Sequence, residues 1–216
     1  MDYDFIPSNY YEQDEKEKKS GSKHKCNNNT PSNQVNTLSR PCAPVELVKN
    51  GGFEELGAFE LFTDWVRESN NIRISGSLIA HEGLGSASFN ATPTQEIQDK
   101  TGRLFQNVTV NPGCFLVLSY ATNFLQVGAD FEGLDFSARV YYGNNTQTNL
   151  INIETRYTSD FLAGTGYDFH QKVSNVPVPS NVTSVTVEFM IRVTDKGAPP
   201  ADITQFLLDS VSLRAI

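Results

Sequence analysis

The chain has no long apolar run, no excess of basic charge and no catalytic signature, and each absence excludes a class of function. No stretch approaches the roughly 18 consecutive apolar residues of a membrane-spanning helix, so no span is expected. The opening Met1-Asp2-Tyr3-Asp4-Phe5-Ile6-Pro7 carries neither a basic region nor an apolar one, so no secretory signal is expected. The formal net charge is −8, which argues against the basic face that sequence-independent nucleic-acid binding needs and against docking on anionic lipid. Histidines are few and scattered (His24, His81 and His170), and no nucleophile elbow, P-loop, GxGxxG or HExxH occurs. His81-Glu82 reads as an exposed loop pair. The chain is expected not to be an enzyme.

Cysteine is also scarce. Cys26, Cys42 and Cys114 make an odd number, with no CxxC or Cys/His spacing that could close a zinc tetrahedron. Cys114, within Gly113-Cys114-Phe115-Leu116-Val117, reads as a small buried hydrophobe. Cys26 and Cys42 lie in polar surroundings and read as exposed thiols or as partners in bonds to another chain.

What is present divides the chain near Val45. Residues 1–45 hold six acids (Asp2, Asp4, Glu12, Asp14, Glu15, Glu17) and six bases (Lys16, Lys18, Lys19, Lys23, Lys25, Arg40), so the whole net charge of −8 lies downstream. This stretch is rich in Ser, Asn, Lys and Glu and cannot bury enough apolar surface to offset its ordering entropy alone. Its sparse hydrophobes (Phe5, Ile6, Tyr10, Tyr11, Val35, Leu38) suit an arm, residues 1–44, that docks on a neighbouring molecule.

From residue 45 to 216 the pattern has period two. Strands are expected at Val45–Asn50, Ile72–Ile74, Ala87–Ala91, Leu104–Val110, Cys114–Thr122, Asp135–Tyr142, Leu150–Tyr157, Ser184–Thr194 and Phe206–Ala215, separated by Gly, Pro and Asn turns. Ser184–Thr194 is the clearest, with Val185, Val187, Phe189, Ile191 and Val193 on the core face. Short strands at such intervals, without an amphipathic helix, predict an all-β, jelly-roll β-sandwich carrying an extended N-terminal arm.

Three stretches together resemble the galactose-binding-like jelly rolls that include carbohydrate-binding modules. They are Asn50-Gly51-Gly52-Phe53-Glu54 with Trp65 following, Leu104 to Gly113, and Leu208-Asp209-Ser210-Val211-Ser212-Leu213. The resemblance implies a structural calcium between Glu54 and Asp209, although Ser210 stands where that pattern has a second Asp; no other cofactor is expected. It also implies sugar stacking on aromatic faces, for which Trp65, Tyr142, Tyr157 and Tyr167 are the candidates, with Tyr141 and Phe169 beside them. Tyr141 and Tyr142 are adjacent and must point to opposite faces.

The layout, a cysteine-bearing arm ahead of a jelly roll, resembles bacterial endospore appendage and spore-surface subunits. That resemblance implies a structural, self-assembling subunit polymerised through residues 1–44, made in the mother cell and ending at the cell or spore surface. Cys26 and Cys42 would cross-link such a fibre, meeting Cys114 of a neighbour. The alternative is a carbohydrate-binding module on a flexible tether.

Overall fold

The computed structural model describes residues 42–57, 62–143, 148–158, 164, 166–197 and 202–216. The chain divides into Met1–Leu38 and Ser39–Ile216, and every described residue belongs to the second unit. The expected docking arm, with Cys26, lies outside the described residues.

Ten strands form two five-stranded sheets. In chain order they are β1 Val66–Asn70, β2 Ile72–Ser77, β3 Ser86–Ala91, β4 Ile97–Thr109, β5 Leu116–Gln126, β6 Phe131–Tyr141, β7 Asn149–Tyr157, β8 Asp168–Val173, β9 Ser184–Lys196 and β10 Thr204–Ala215. One sheet has the order β1-β4-β9-β6-β7 and the other β2-β3-β10-β5-β8. All pairings are antiparallel. Only β2–β3 and β6–β7 join neighbours in one sheet; every other connection crosses to the opposite sheet, as in a jelly roll.

The inward faces fill the space between the sheets. On β9, Val185, Val187, Phe189, Ile191 and Val193 are each at most 1% exposed. They meet Leu134, Phe136, Ala138 and Val140 of β6 and, across the sandwich, Phe206, Leu208 and Leu213 of β10, all buried. Phe189 sits at the centre, its ring against Trp65, Tyr120 and Phe136. Truncating a buried ring of this kind costs about 3–5 kcal/mol. Lys100 and Asp195, both essentially unexposed and 3.0 Å apart, pin β4 to β9 at one end of the sheet.

Two strands were not expected from the sequence, β1 and β8. Both are edges, and β1 is exposed at every position. β1, buried on neither face, has no reason to alternate; on β8 the half-buried positions are His170 and Lys172, so no apolar parity marks it. Conversely, the strand expected at Val45–Asn50 is not one. Only Glu46 bridges to Arg214, because the Glu46 carboxylate binds the amides of Val48 and Leu213 and the Ser212 hydroxyl. The chain then turns sharply at Asn50, whose φ is 48°.

That turn explains the Asn-Gly-Gly-Phe motif. The Asn50 side chain donates to the carbonyls of Glu55 and Thr63 and accepts from the Glu55 amide. The Asn50 backbone carbonyl accepts from the Trp65 indole at 3.0 Å. Gly51 lies so close to β10 that a Cβ would stand 1.9 Å from the Val211 carbonyl oxygen, while the Val211 amide donates to the Gly51 carbonyl.

The cysteines require a correction. Cys42 and Cys114 are bonded to each other within the chain, with Cα atoms 5.4 Å apart, so neither is an exposed thiol or a cross-link to a neighbour. Cys114 is fully buried, as a small core residue would be. The physical reason is proximity: the segment after Cys42 runs along β10, and the Ile216 end of β10 exchanges backbone hydrogen bonds with Phe115. The staple also ties residues 42–44 to the body rather than to the arm.

Candidate functional site

The outer face of the β1-β4-β9-β6-β7 sheet carries an unusual density of charge. Register sets Val66, Phe105, Glu188, Arg139 and Asn152 in one row across the strands. Glu68, Arg103, Met190, Ser137 and Glu154 form the next, and Asn70, Thr101, Arg192, Asp135 and Arg156 the third.

Glu188 organises the first two rows. Although on the outer face, it is only 3% exposed. It accepts from Arg103 Nε at 2.6 Å and from the Tyr141 hydroxyl at 3.0 Å, and Arg139 stands 3.9 Å from its other oxygen. Arg103 also donates to Glu68 at 2.7 Å and to Tyr141 at 2.9 Å, and its guanidinium lies 4.1 Å over the Phe105 ring. Burial alone would lower the Arg103 pKa, but its bonds to Glu68 and Glu188 outweigh that and hold it above the ordinary value. Burial, and then the Glu188 charge, push the Tyr141 phenol up. Deleting Arg103 would leave Glu188 buried and short of its main partner, a change that costs about 3–5 kcal/mol when a buried pair is broken.

Next to this network a cleft of about 430 Å³ opens over β6, β7 and β9, lined by Asp135, Ser137, Arg139, Glu154, Arg156, Met190 and Arg192. Its rim holds exposed ion pairs, Arg156 with Asp135 and Arg192 with Asp99, of a kind that adds at most about 1 kcal/mol each. The floor differs from the rim. There Ser137 Oγ and Arg139 Nε, with Asn152 Oδ1 beside them on β7, are buried and have no hydrogen-bond partner among the described residues. Ser137 pairs with Glu154, and Arg139 with Asn152, across β6 and β7, so the three form one patch. A buried polar group left unpaired costs about 1–3 kcal/mol, and such a patch suits a ligand that supplies the missing partners.

The aromatic candidates do not gather into a stacking platform. Trp65 (6% exposed) and Tyr157 (2% exposed) are core residues, the first against Phe53 and Phe189, the second against Phe124 and Phe206. Neither offers a ring face to a sugar. Tyr142 is partly buried against the core. Tyr141 turns its hydroxyl to Glu188, as above. Tyr167 belongs elsewhere, beside His81 with its hydroxyl on the Ile79 carbonyl. Phe169, exposed on β8, lies in the other sheet.

Glu54 and Asp209 do come to one place, but as clamps on a loop. Glu54 accepts from the amides of Leu84 (2.7 Å) and Gly85 (3.1 Å). Asp209, fully buried, accepts from His81 (2.6 Å), Glu82 (3.2 Å) and Ser210 (2.6 Å). Burial raises its pKa above the ordinary 3.8, and those amides work against the rise. Calcium takes six to eight oxygens. Here the carboxylate oxygens face N–H donors, and no group of three or more His, Cys, Asp or Glu side chains among the described residues could hold a metal. As arranged, this donor set does not fit calcium. Gly83 completes the loop, with φ +71° and no room for a Cβ against Glu54. A second cleft of about 420 Å³ lies beside it, lined by Leu56, Leu78 and Leu84 along the edge strand β2.

The sequence placed Glu188, Met190 and Arg192 on the solvent side of β9 without marking them as a site. What unites them with Arg103, Arg139 and Ser137 is cross-strand register between segments up to 85 residues apart, which a single sequence does not display.

The fold and the site together define a β-sandwich with a polar cleft on one sheet face. No protein-family model matches the chain, and no curated protein does. Among solved structures it resembles a CBM61 module in complex with beta-1,4-galactotriose, at 17% identity and a TM-score of 0.49, over 80% of this chain and 99% of that one. It also resembles the CBM22-1 xylan-binding domain from Paenibacillus barcinonensis Xyn10C, at 15% identity and a TM-score of 0.46, over 81% and 97% of the two chains. The K2 cleaved adhesin domain of Lys-gingipain matches at 15% identity and a TM-score of 0.46, over 81% and 99%. These are likenesses of general sandwich plan, and the fold is read from the strand order and register.

Proposed function

We propose that this chain is a non-catalytic module that binds carbohydrate on the outer face of the β1-β4-β9-β6-β7 sheet. The observation that carries the proposal is the patch of polar atoms without a hydrogen-bond partner among the described residues: Ser137 Oγ and Arg139 Nε in the lining of a 430 Å³ cleft, and Asn152 Oδ1 beside Arg139 on β7. Sugar hydroxyls both donate and accept, so one ring can satisfy a hydroxyl, a guanidinium and an amide oxygen together. The cleft volume falls within the range of small-ligand sites. Recognition is by hydrogen bonds rather than stacking, because the Phe105 ring is already covered by Arg103. Glu188 is held by Arg103 and Tyr141 in a structural network, which favours binding over acid–base chemistry.

The fibre-subunit reading is the weaker one. It relied on three cross-linking cysteines, and two of them are consumed inside the chain; its arm lies outside the described residues. The disulfide does suit a cell- or spore-surface location, since such bonds persist in oxidising surroundings.

The test is a broad oligosaccharide panel read by titration calorimetry, with galactan and xylan fragments as first probes. Ser137→Ala and Asn152→Ala are expected to weaken binding while leaving Tm nearly unchanged, because each removes a buried oxygen that has no partner among the described residues, and Asn152→Ala gives up only an exposed bond to Glu154. A silent panel, or variants that bind as the wild type does, would show the proposal to be wrong.

A further inference from the structure

From the state of Arg139 we infer that the carbohydrate carries an acidic residue, whose carboxylate is taken by that guanidinium. The inference rests on the glycan-binding reading above and deepens it. Arg139 has five N–H donors and makes no hydrogen bond among the described residues; its one electrostatic partner is Glu188 at 3.9 Å. Yet its side chain is only 19% exposed, so water does not freely replace what is missing. Arg103 and Tyr141 hold Glu188 by one carboxylate oxygen, and its other oxygen stays 3.9 Å from Arg139, beyond hydrogen-bond distance. The remaining acids close by are also engaged, Asp135 by Arg156 and exposed Glu154 by the Asn152 amide.

A guanidinium fork without a hydrogen-bond partner, at the edge of a cleft, matches a planar carboxylate with two parallel N–H···O bonds. Ser137, in the adjacent row, stands where it can meet a ring hydroxyl of the same sugar. Arg156 and Arg192 on the rim are each held by an acid, Asp135 and Asp99, so among the arginines lining the cleft Arg139 is the one with no hydrogen-bonded carboxylate. A neutral sugar would satisfy the hydroxyl and the amide but leave the guanidinium charge without a counter-charge at bonding distance.

The experiment uses the full chain and pairs of oligosaccharides that differ in charge alone: oligogalacturonides and glucuronic-acid-bearing xylo-oligosaccharides, each as free acid and as methyl ester, with neutral galacto- and xylo-oligosaccharides alongside. At least one acid is expected to bind roughly tenfold tighter than its ester, since a charge-assisted fork replaces neutral bonds. Arg139→Gln should abolish that preference, and added salt should shrink it. If esters and neutral sugars bind as tightly as the acids, or if Arg139→Gln keeps the preference, the acidic-sugar inference is overturned while the glycan reading stands. If neither acidic nor neutral sugars bind, both are overturned.

Discussion

Replacing both members of the Cys42–Cys114 pair with alanine is expected to lower the stability of the body by about 4 kcal/mol. The bond closes a loop with a sequence separation of 72 residues. Loop-closure entropy of that length, lost from the unfolded chain, corresponds to about 4 kcal/mol at 25 °C. For a domain of this size each kcal/mol moves Tm by roughly 2–4 °C, so a fall of roughly 8–16 °C is expected. Differential scanning calorimetry of wild type and double variant under non-reducing conditions measures it, and reducing the wild type should reproduce the shift. Peptide mapping of the non-reduced protein should recover Cys42 and Cys114 in one linked peptide from a single chain. A Tm unchanged by the substitution, or linked peptides joining two chains, would refute the intrachain assignment and restore the cross-linking expectation.

Other consequences follow from particular contacts. Gly51→Ala should destabilise by more than about 1 kcal/mol in urea unfolding, because its Cβ meets the Val211 carbonyl at 1.9 Å; an unaffected midpoint would show that the turn is not packed on β10. Burial lowers the His170 pKa from its ordinary 6.5, against the raising effect of Asp168. The unfolded chain therefore binds the proton first as pH falls, and the stability contributed by neutral His170 is present above 6.5 and lost as pH drops through 6.5 towards the folded value. Tm should decline over that window in the wild type and less so in His170→Gln; identical profiles would contradict the assignment. Because Glu54 and Asp209 serve backbone amides, Tm should be insensitive to calcium and to chelator. A calcium site filled at about 100 times its Kd would instead add about 2.7 kcal/mol, and a rise of that order would show the two carboxylates reorganising as ligands.

The legible part of the fold was the part with two unlike faces. β7, β9 and β10 alternate because one side meets the core and the other meets water, so their apolar parity is written in order along the chain. β1 and β8 lie at sheet edges and were silent. Val45–Asn50 misled for the opposite reason: its alternation reflects packing along β10, not a strand, and Glu46 spends its carboxylate on capping that contact. The resemblance to carbohydrate-binding jelly rolls put Trp65 and Tyr157 forward as sugar platforms, and an aromatic in a strand looks alike whether it faces in or out; the inward parity of both became visible only with the sheets assembled. Glu54 and Asp209 were singled out as calcium ligands, and both clamp one loop; whether a carboxylate faces a cation or an amide depends on the path of that 81–85 loop. The cleft itself was illegible, since Arg139, Ser137 and Asn152 are ordinary polar positions until register brings them together and leaves their atoms without partners.

The most direct test of the central claim is chemical-shift mapping of the isotopically labelled protein against whichever oligosaccharide the panel selects. The account predicts that perturbed resonances cluster on β6, β7 and β9, at Ser137, Arg139, Asn152 and Met190, and that Ser137→Ala weakens them. Perturbations confined to the Leu56, Leu78 and Leu84 groove or to Phe169 on the opposite sheet would contradict it.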